Sequence, residues 1–144
     1  MFQPGEVDPL RFCRNAQVWE AESSIAEFPR LAREFTQGQL FCRVAGDMDA
    51  QRRSRLRIVV RGEVVLTCQR CMGELPHTVD IDRTVYLARD EAQVERLDQA
   101  LGLEGEAILA GERLNLVELV EDEVFLGLPL VPRHEPGECP ESSS

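Results

Sequence analysis

From Leu56 to Leu66 the chain keeps a strict period of two. Leu56, Ile58, Val60, Gly62, Val64 and Leu66 fall on one side, and Arg55, Arg57, Arg61 and Glu63 on the other. Successive side chains of a strand point to opposite faces, so an extended strand buries the apolar set and leaves the charges wet; a helix would scatter both sets around its circumference. Neighbouring segments read the same way. Leu40 to Met48 is a strand candidate, and His77 to Leu87 alternates again through Val79, Ile81, Val85 and Leu87. The connections, Asp49–Ser54 and Cys68–Gly73, are short and polar, which predicts a meander of three antiparallel strands. Gly62 predicts a bulge or bend in the long strand. The alternation slips near Asp82 and Arg83, where a second bulge is expected.

Helices are expected around this sheet. Asp8-Pro9 reads as an N-cap followed by proline at the first helical position, opening a helix to about Asn15. Gln17–Glu22 alternates as a short strand. Pro29 opens a second helix through Phe35, with Gly38 placed to end it. Residues 90–101 are acidic and weakly helical and residues 102–111 turn-rich, and together they read as a surface excursion of mobile character. Asn115 caps a helix over 116–126 with one apolar face; its acids Glu118, Glu121 and Asp122 are expected to point outward, with Glu123 nearest the apolar side and facing a core-edge arginine. The fold class is therefore α+β: an antiparallel sheet, open or barrel-like, with short N-terminal helices and one amphipathic C-terminal helix. A single domain over 1–139 and a disordered tail at 140–144 complete the expected organisation.

At 144 residues the chain suffices for one domain with a real core. No apolar run approaches the ~20 residues a membrane span needs, and the N-terminus lacks the basic and apolar regions of a secretory signal. Five irregularly placed cysteines do not suggest a disulfide framework. A cytoplasmic protein without a membrane partner is expected. Net charge is −10, yet unevenly spread: residues 39–89 carry 9 arginines against 6 acids, and residues 90–144 carry 3 against 14. Every basic residue is arginine. Nucleic-acid binding follows local rather than net charge, so the middle third is the region to inspect.

Arg52, Arg53, Arg55, Arg57, Arg61 and Arg70 cluster there, and alternation lines up Arg55, Arg57 and Arg61 over about 20 Å of strand. Arginine suits bidentate phosphate contact, so this set is an RNA or partner surface, or else a solvated sheet face paired with acids of the C-terminal third. No aromatic residue interleaves with it, so base stacking on the sheet is unsupported. Cys68 and Cys71 stand at CxxC spacing on a turn between strands. Such a pair can grip one tetrahedral zinc ion, with His134 and Cys139 as the distant second pair; structural cysteines without metal and a redox pair are the alternatives. A redox CxxC belongs at a helix N-terminus after a strand, whereas β structure is expected on both sides here. Cys13 and Cys42 sit in apolar patterns and read as buried small hydrophobes. Glu121-Asp122-Glu123 cannot converge on one ion, since consecutive helical residues diverge by about 100°. His77 and His134 lack the neighbours of a triad, and no glycine-rich phosphate loop occurs. No enzyme site is expected.

Val64-Val-Leu-Thr-Cys-Gln-Arg-Cys-Met72, then Leu116-Val-Glu-Leu-Val-Glu-Asp-Glu-Val-Phe-Leu-Gly-Leu-Pro-Leu-Val-Pro-Arg-His134 with Cys139, resembles the YceD family of large ribosomal RNA subunit accumulation proteins. The resemblance runs from about Asp8 to Cys139. It implies a non-catalytic role in accumulation or processing of the 23S ribosomal RNA precursor. Implied partners are that precursor or large-subunit assembly intermediates, and ribosomal or assembly proteins. Relatives carry cysteine where this chain has His134, which favours a structural zinc held by Cys68, Cys71, His134 and Cys139. Many relatives continue beyond this chain's end with a polar or basic extension. Two modes of action follow. The arginine surface contacts precursor RNA directly, or an adaptor uses Glu118, Glu121 and Asp122 on the acidic helix to dock a basic partner.

Overall fold

A computed structural model of the chain describes residues 6–68, 71–102, 105–111 and 113–128. In chain order it contains β1 (Glu6–Val7), α1 (Pro9–Arg14), β2 (Val18–Ser24), a 3-10 turn (Ile25–Glu27), α2 (Pro29–Glu34), β3 (Gln37–Met48), β4 (Ser54–Thr67), β5 (Glu74–Ala88), α3 (Glu91–Leu101), β6 (Glu106–Leu109), β7 (Leu114–Asn115) and α4 (Leu116–Leu126). No described helix is long and apolar enough to cross a membrane.

Strands β2 to β6 form one sheet in sequence order, with β2 to β5 antiparallel and β6 parallel to β5. The class is α+β as expected, but β2 and β6 stand at opposite edges, so the sheet is open rather than a barrel. Both expected bulges are absent. The β3–β4 register runs unbroken from Gln37↔Val65 to Met48↔Ser54, and β4–β5 from Arg55↔Tyr86 to Thr67↔Glu74. Gly62 instead permits close approach: a Cβ there would stand 2.1 Å from the Gln39 carbonyl oxygen, and its φ is +151°. Nor does the alternation slip at Asp82 and Arg83. Arg83 takes the inward position of the same register, because Glu123 waits there to receive it. Gly38 does not end α2. It lies inside β3, where a Cβ would stand 2.7 Å from the Glu63 carbonyl oxygen.

The inward face carries the main core. Leu40, Cys42, Val44, Leu56, Ile58, Val60 and Val64 are fully or nearly fully buried against Phe12, Phe28, Leu31, Leu116 and Val120 from the helices. Asp8 caps α1, accepting from the N–H groups of Leu10 (3.1 Å) and Arg11 (3.2 Å), and Asn115 caps α4 in the same way.

Residues 90–111 begin with a helix as the sequence suggests, but also hold a strand it did not. They hold α3 and β6, a helical crossover that returns a parallel strand to β5. Leu97 and Leu101 of α3 pack on Tyr86, Ala88 and Ala107, a second small core on the other side of the sheet. Its apolar positions are few because α3 covers one corner only.

Candidate nucleic-acid interface

The sheet face opposite α4 carries the expected arginine row, and that row is already occupied. Arg55 donates to Asp47 through Nε (2.7 Å) and Nη2 (3.2 Å), and Arg57 to Asp82 through Nε (2.9 Å) and Nη2 (2.7 Å). Arg61 Nε lies 3.3 Å from Asp80, and Arg43 pairs with Glu20 on β2. The Asp47 hydrogen bonds, then those of Tyr86, raise the Arg55 pKa further above its ordinary value. The partners come from the adjacent strands β2, β3 and β5, not from the C-terminal third. Cross-strand residues lie close enough for such pairs, so the acids that cancel this row are set by register.

Arg52 and Arg53 lie elsewhere, in the β3–β4 turn. Asp49 organises that turn: its carboxylate accepts from the N–H groups of Gln51 (2.9 Å) and Arg53 (2.8 Å) and from Arg53 Nε (2.7 Å). Burial pushes the Asp49 carboxyl up, but the hydrogen bonds from Arg53 and Gln51 outweigh it and hold its pKa below the usual carboxylate value. The Arg53 guanidinium also sits over the Tyr86 ring at 5.3 Å. Arg52, in the left-handed region at φ +61°, is exposed. Both residues line a cleft of about 450 Å³ together with Arg14 from α1, Arg89 after β5, and Arg96 from α3. Sequence reasoning missed those three because they are isolated along the chain; the β4–β5 pairing carries Arg89 to the turn, and α3 carries Arg96 there.

Helix α4 presents fewer acids than its pattern promised. Glu121 does not point outward: it is 1% exposed, and its Oε2 accepts the Arg30 N–H at 2.7 Å. The reason lies in α2, whose N-cap position is Phe28 and supplies no side-chain acceptor. Glu121 therefore caps α2 from another helix. Asp122 is exposed but bound by Arg30 Nη2 at 2.8 Å, and Glu118 is exposed. Glu123 faces inward as expected, and Arg83 Nε lies 2.9 Å from its Oε1, an electrostatic contact rather than an aligned hydrogen bond. Arg83 also reaches Glu106 on β6. Burial raises the Glu123 pKa more than Arg83 lowers it, with Glu106 and Asp122 adding to the rise.

Cys68 is fully buried at the end of β4 and Cys71 half-buried in the turn beyond it. The Cys68 N–H donates to Gly73 O (2.9 Å) and the Met72 N–H to Cys68 O (2.8 Å), which makes the turn tight. Two thiols so spaced suit one end of a zinc site. Arg70, His134 and Cys139 lie outside the described residues. Among the described residues no group of three or more His, Cys, Asp or Glu converges as a metal site. Cys13 and Cys42 are buried as expected, and burial pushes their thiol pKa values up to about 11 and about 12.

No solved structure matches this chain. The profile of the family described as large ribosomal RNA subunit accumulation protein YceD matches residues 56–144. That span covers more than half of the sequence, from the long strand β4 through the Cys68–Cys71 turn and α4. The chain therefore belongs to the YceD family of large ribosomal RNA subunit accumulation proteins.

Proposed function

We propose that this chain is a non-catalytic, cytoplasmic ribosome-biogenesis factor that promotes accumulation and processing of the 23S ribosomal RNA precursor by binding it. Family membership over residues 56–144 carries this reading. The chemistry of the described carboxylates agrees with a binding role. Glu121 and Glu123 are spent inside the protein, one as a helix cap and one against Arg83. The same facts weigh against the adaptor alternative, since α4 offers only Glu118 and an Asp122 already engaged by Arg30. The test is the level of 23S precursor and mature large-subunit RNA in a host lacking this chain, with and without its return. Depletion reversed by the intact chain is expected; unchanged large-subunit RNA would refute the reading.

Within this proposal Cys68, Cys71, His134 and Cys139 hold a structural zinc that ties the β4–β5 turn to the C-terminal segment. The tight turn and the thiol pair support it. Protein purified without chelator is expected to contain one zinc per chain and to lose thermal stability in EDTA. A zinc content near zero would end this part of the proposal.

A further inference from the structure

We propose that the cleft lined by Arg14, Arg52, Arg53, Arg89 and Arg96 is the site where this protein grips the RNA phosphate backbone. The inference rests on the reading of the chain as a factor that binds ribosomal RNA precursor, and adds the surface that does so.

The argument turns on which arginines have partners. Acids outnumber basic residues 26 to 16 in this chain, so a carboxylate is the ordinary neighbour of any arginine. On the sheet face and around α4 that holds: Arg30, Arg43, Arg55, Arg57, Arg61 and Arg83 each meet at least one. In the cleft it fails. Arg53 has Asp49, but Arg14, Arg52, Arg89 and Arg96 make no ion pair with any described residue, although they converge from four separate segments. All four are exposed. Four uncompensated guanidinium groups around one depression repel one another, and an anionic ligand relieves that repulsion.

The form of the cleft suits a phosphodiester backbone. It is a surface depression of about 450 Å³ lined by arginines from both ends of the chain segment 14–96. Guanidinium forks bind phosphate oxygens in pairs. Asp49 fixes the Arg52–Arg53 turn through several hydrogen bonds, so the Arg53 guanidinium and the backbone that carries Arg52 are preorganised. Asp90 also lines the cleft, held as the N-cap of α3 by the Gln93 N–H at 2.8 Å; its one negative charge leaves the five arginines in excess. Gln93 in the lining already accepts the Arg89 N–H through its Oε1 at 2.7 Å, and among the described residues no aromatic side chain lines the cleft for bases to stack on, so the arginines address the backbone.

The test measures binding of a fluorescein-labelled, mixed-sequence single-stranded RNA by anisotropy across a salt series. It uses the full chain and two variants, Arg52→Gln/Arg96→Gln in the cleft and Arg57→Gln/Arg61→Gln on the sheet face; thermal melts verify that both fold. The cleft variant is expected to bind at least tenfold more weakly at low salt. Its slope of log K against log salt should shrink by about 1.4, at about 0.7 for each single-strand phosphate that an arginine no longer neutralises. The sheet variant is expected to bind like the intact chain. Weakened binding in the sheet variant alone, undiminished binding in the cleft variant, or no binding by the intact chain would each overturn the proposal. So would displacement of the RNA only by an acidic peptide that binds the cleft more tightly, which would mark a protein partner. Large-subunit RNA levels in the depleted host separate the two claims. If the cleft variant restores them as fully as the intact chain, the cleft proposal falls and the accumulation role stands. If the intact chain does not restore them, the accumulation role itself falls.

Discussion

Replacing Glu121 with alanine isolates an unusual long-range cap. Helix α2 is six residues long and begins Phe28-Pro29-Arg30 with no side-chain acceptor of its own. Its first free N–H, on Arg30, donates to Glu121 Oε2 at 2.7 Å, and the carboxylate is 1% exposed. A hydrogen bond to a charged group contributes about 1.5–3 kcal/mol, and removing it leaves a buried donor unsatisfied. Truncation adds the cost of vacated volume, so Glu121→Ala is expected to destabilise by about 2–4 kcal/mol. With a urea m-value of about 2 kcal/mol/M, the unfolding midpoint should fall by about 1–2 M at unchanged m. Glu121→Gln keeps an acceptor and should cost only about 1 kcal/mol. Arg30→Ala keeps the N–H and removes only the exposed guanidinium, 4.0 Å from Glu121 Oε1, so it should cost less than Glu121→Ala. The reasoning fails if Glu121→Ala costs under about 0.5 kcal/mol, or if Gln and Ala are equally harmful.

Three further outcomes are expected. Gly62→Ala forces a Cβ to within 2.1 Å of the Gln39 carbonyl at φ +151°, and should cost about 3 kcal/mol or more; Gly111→Ala, with nothing within 4 Å, is the neutral control in the same thermal melt. The raised Glu123 pKa means that the folded state binds its proton more tightly than the unfolded chain does. Its contribution to stability is therefore full below the ordinary carboxylate pKa and is lost as pH rises through the folded value. Chemical denaturation across that window should show wild type losing ground to Glu123→Gln as pH increases; a gap that widens in wild type's favour would contradict the burial argument. Burial and pKa values of about 11 and about 12 should keep Cys13 and Cys42 unmodified by iodoacetamide in the native protein at neutral pH, with modification appearing on denaturation in peptide mass spectra.

The legible parts of the fold were those that local physics determines. Period two between Leu56 and Leu66 admits little except a half-buried strand, and Asp8-Pro9 and Asn115 carry their caps in the adjacent residues. What was not legible depends on partners far along the chain. Arg83 breaks the apolar alternation of β5 because it answers Glu123 forty residues later, which reads locally as a slipped register. The crossover at 90–111 shows only Val94, Leu97 and Leu101 on a polar background, since α3 covers one corner of the sheet. Glu121 looks solvent-facing beside Asp122, and the clue to its burial lies in α2, where Phe28 occupies a position that wants an acceptor. The CxRC turn and the acidic helix marked the family while saying little about where the protein acts.

The charge pattern carries the last step. A count of arginines against acids in the middle third pointed to the sheet face, yet register dictates that each arginine there has an acid on a neighbouring strand. Asp47 lies across from Arg55 and Asp80 across from Arg61, while Asp82, opposite Val59, lies two residues along and reaches Arg57 diagonally. Residues that neutralise each other cannot also supply a strong field. Arg11 and Arg33 apart, the arginines without an ion pair among the described residues gather where the meander is interrupted: the end of α1, the β3–β4 turn, and the entry to α3. The crossover that attaches β6 also delivers Arg96, so the segment that read in sequence as a surface excursion completes the basic cleft. On the proposed reading, a chain of net charge −10 would approach RNA by this one basic cleft, which would favour a single orientation of binding.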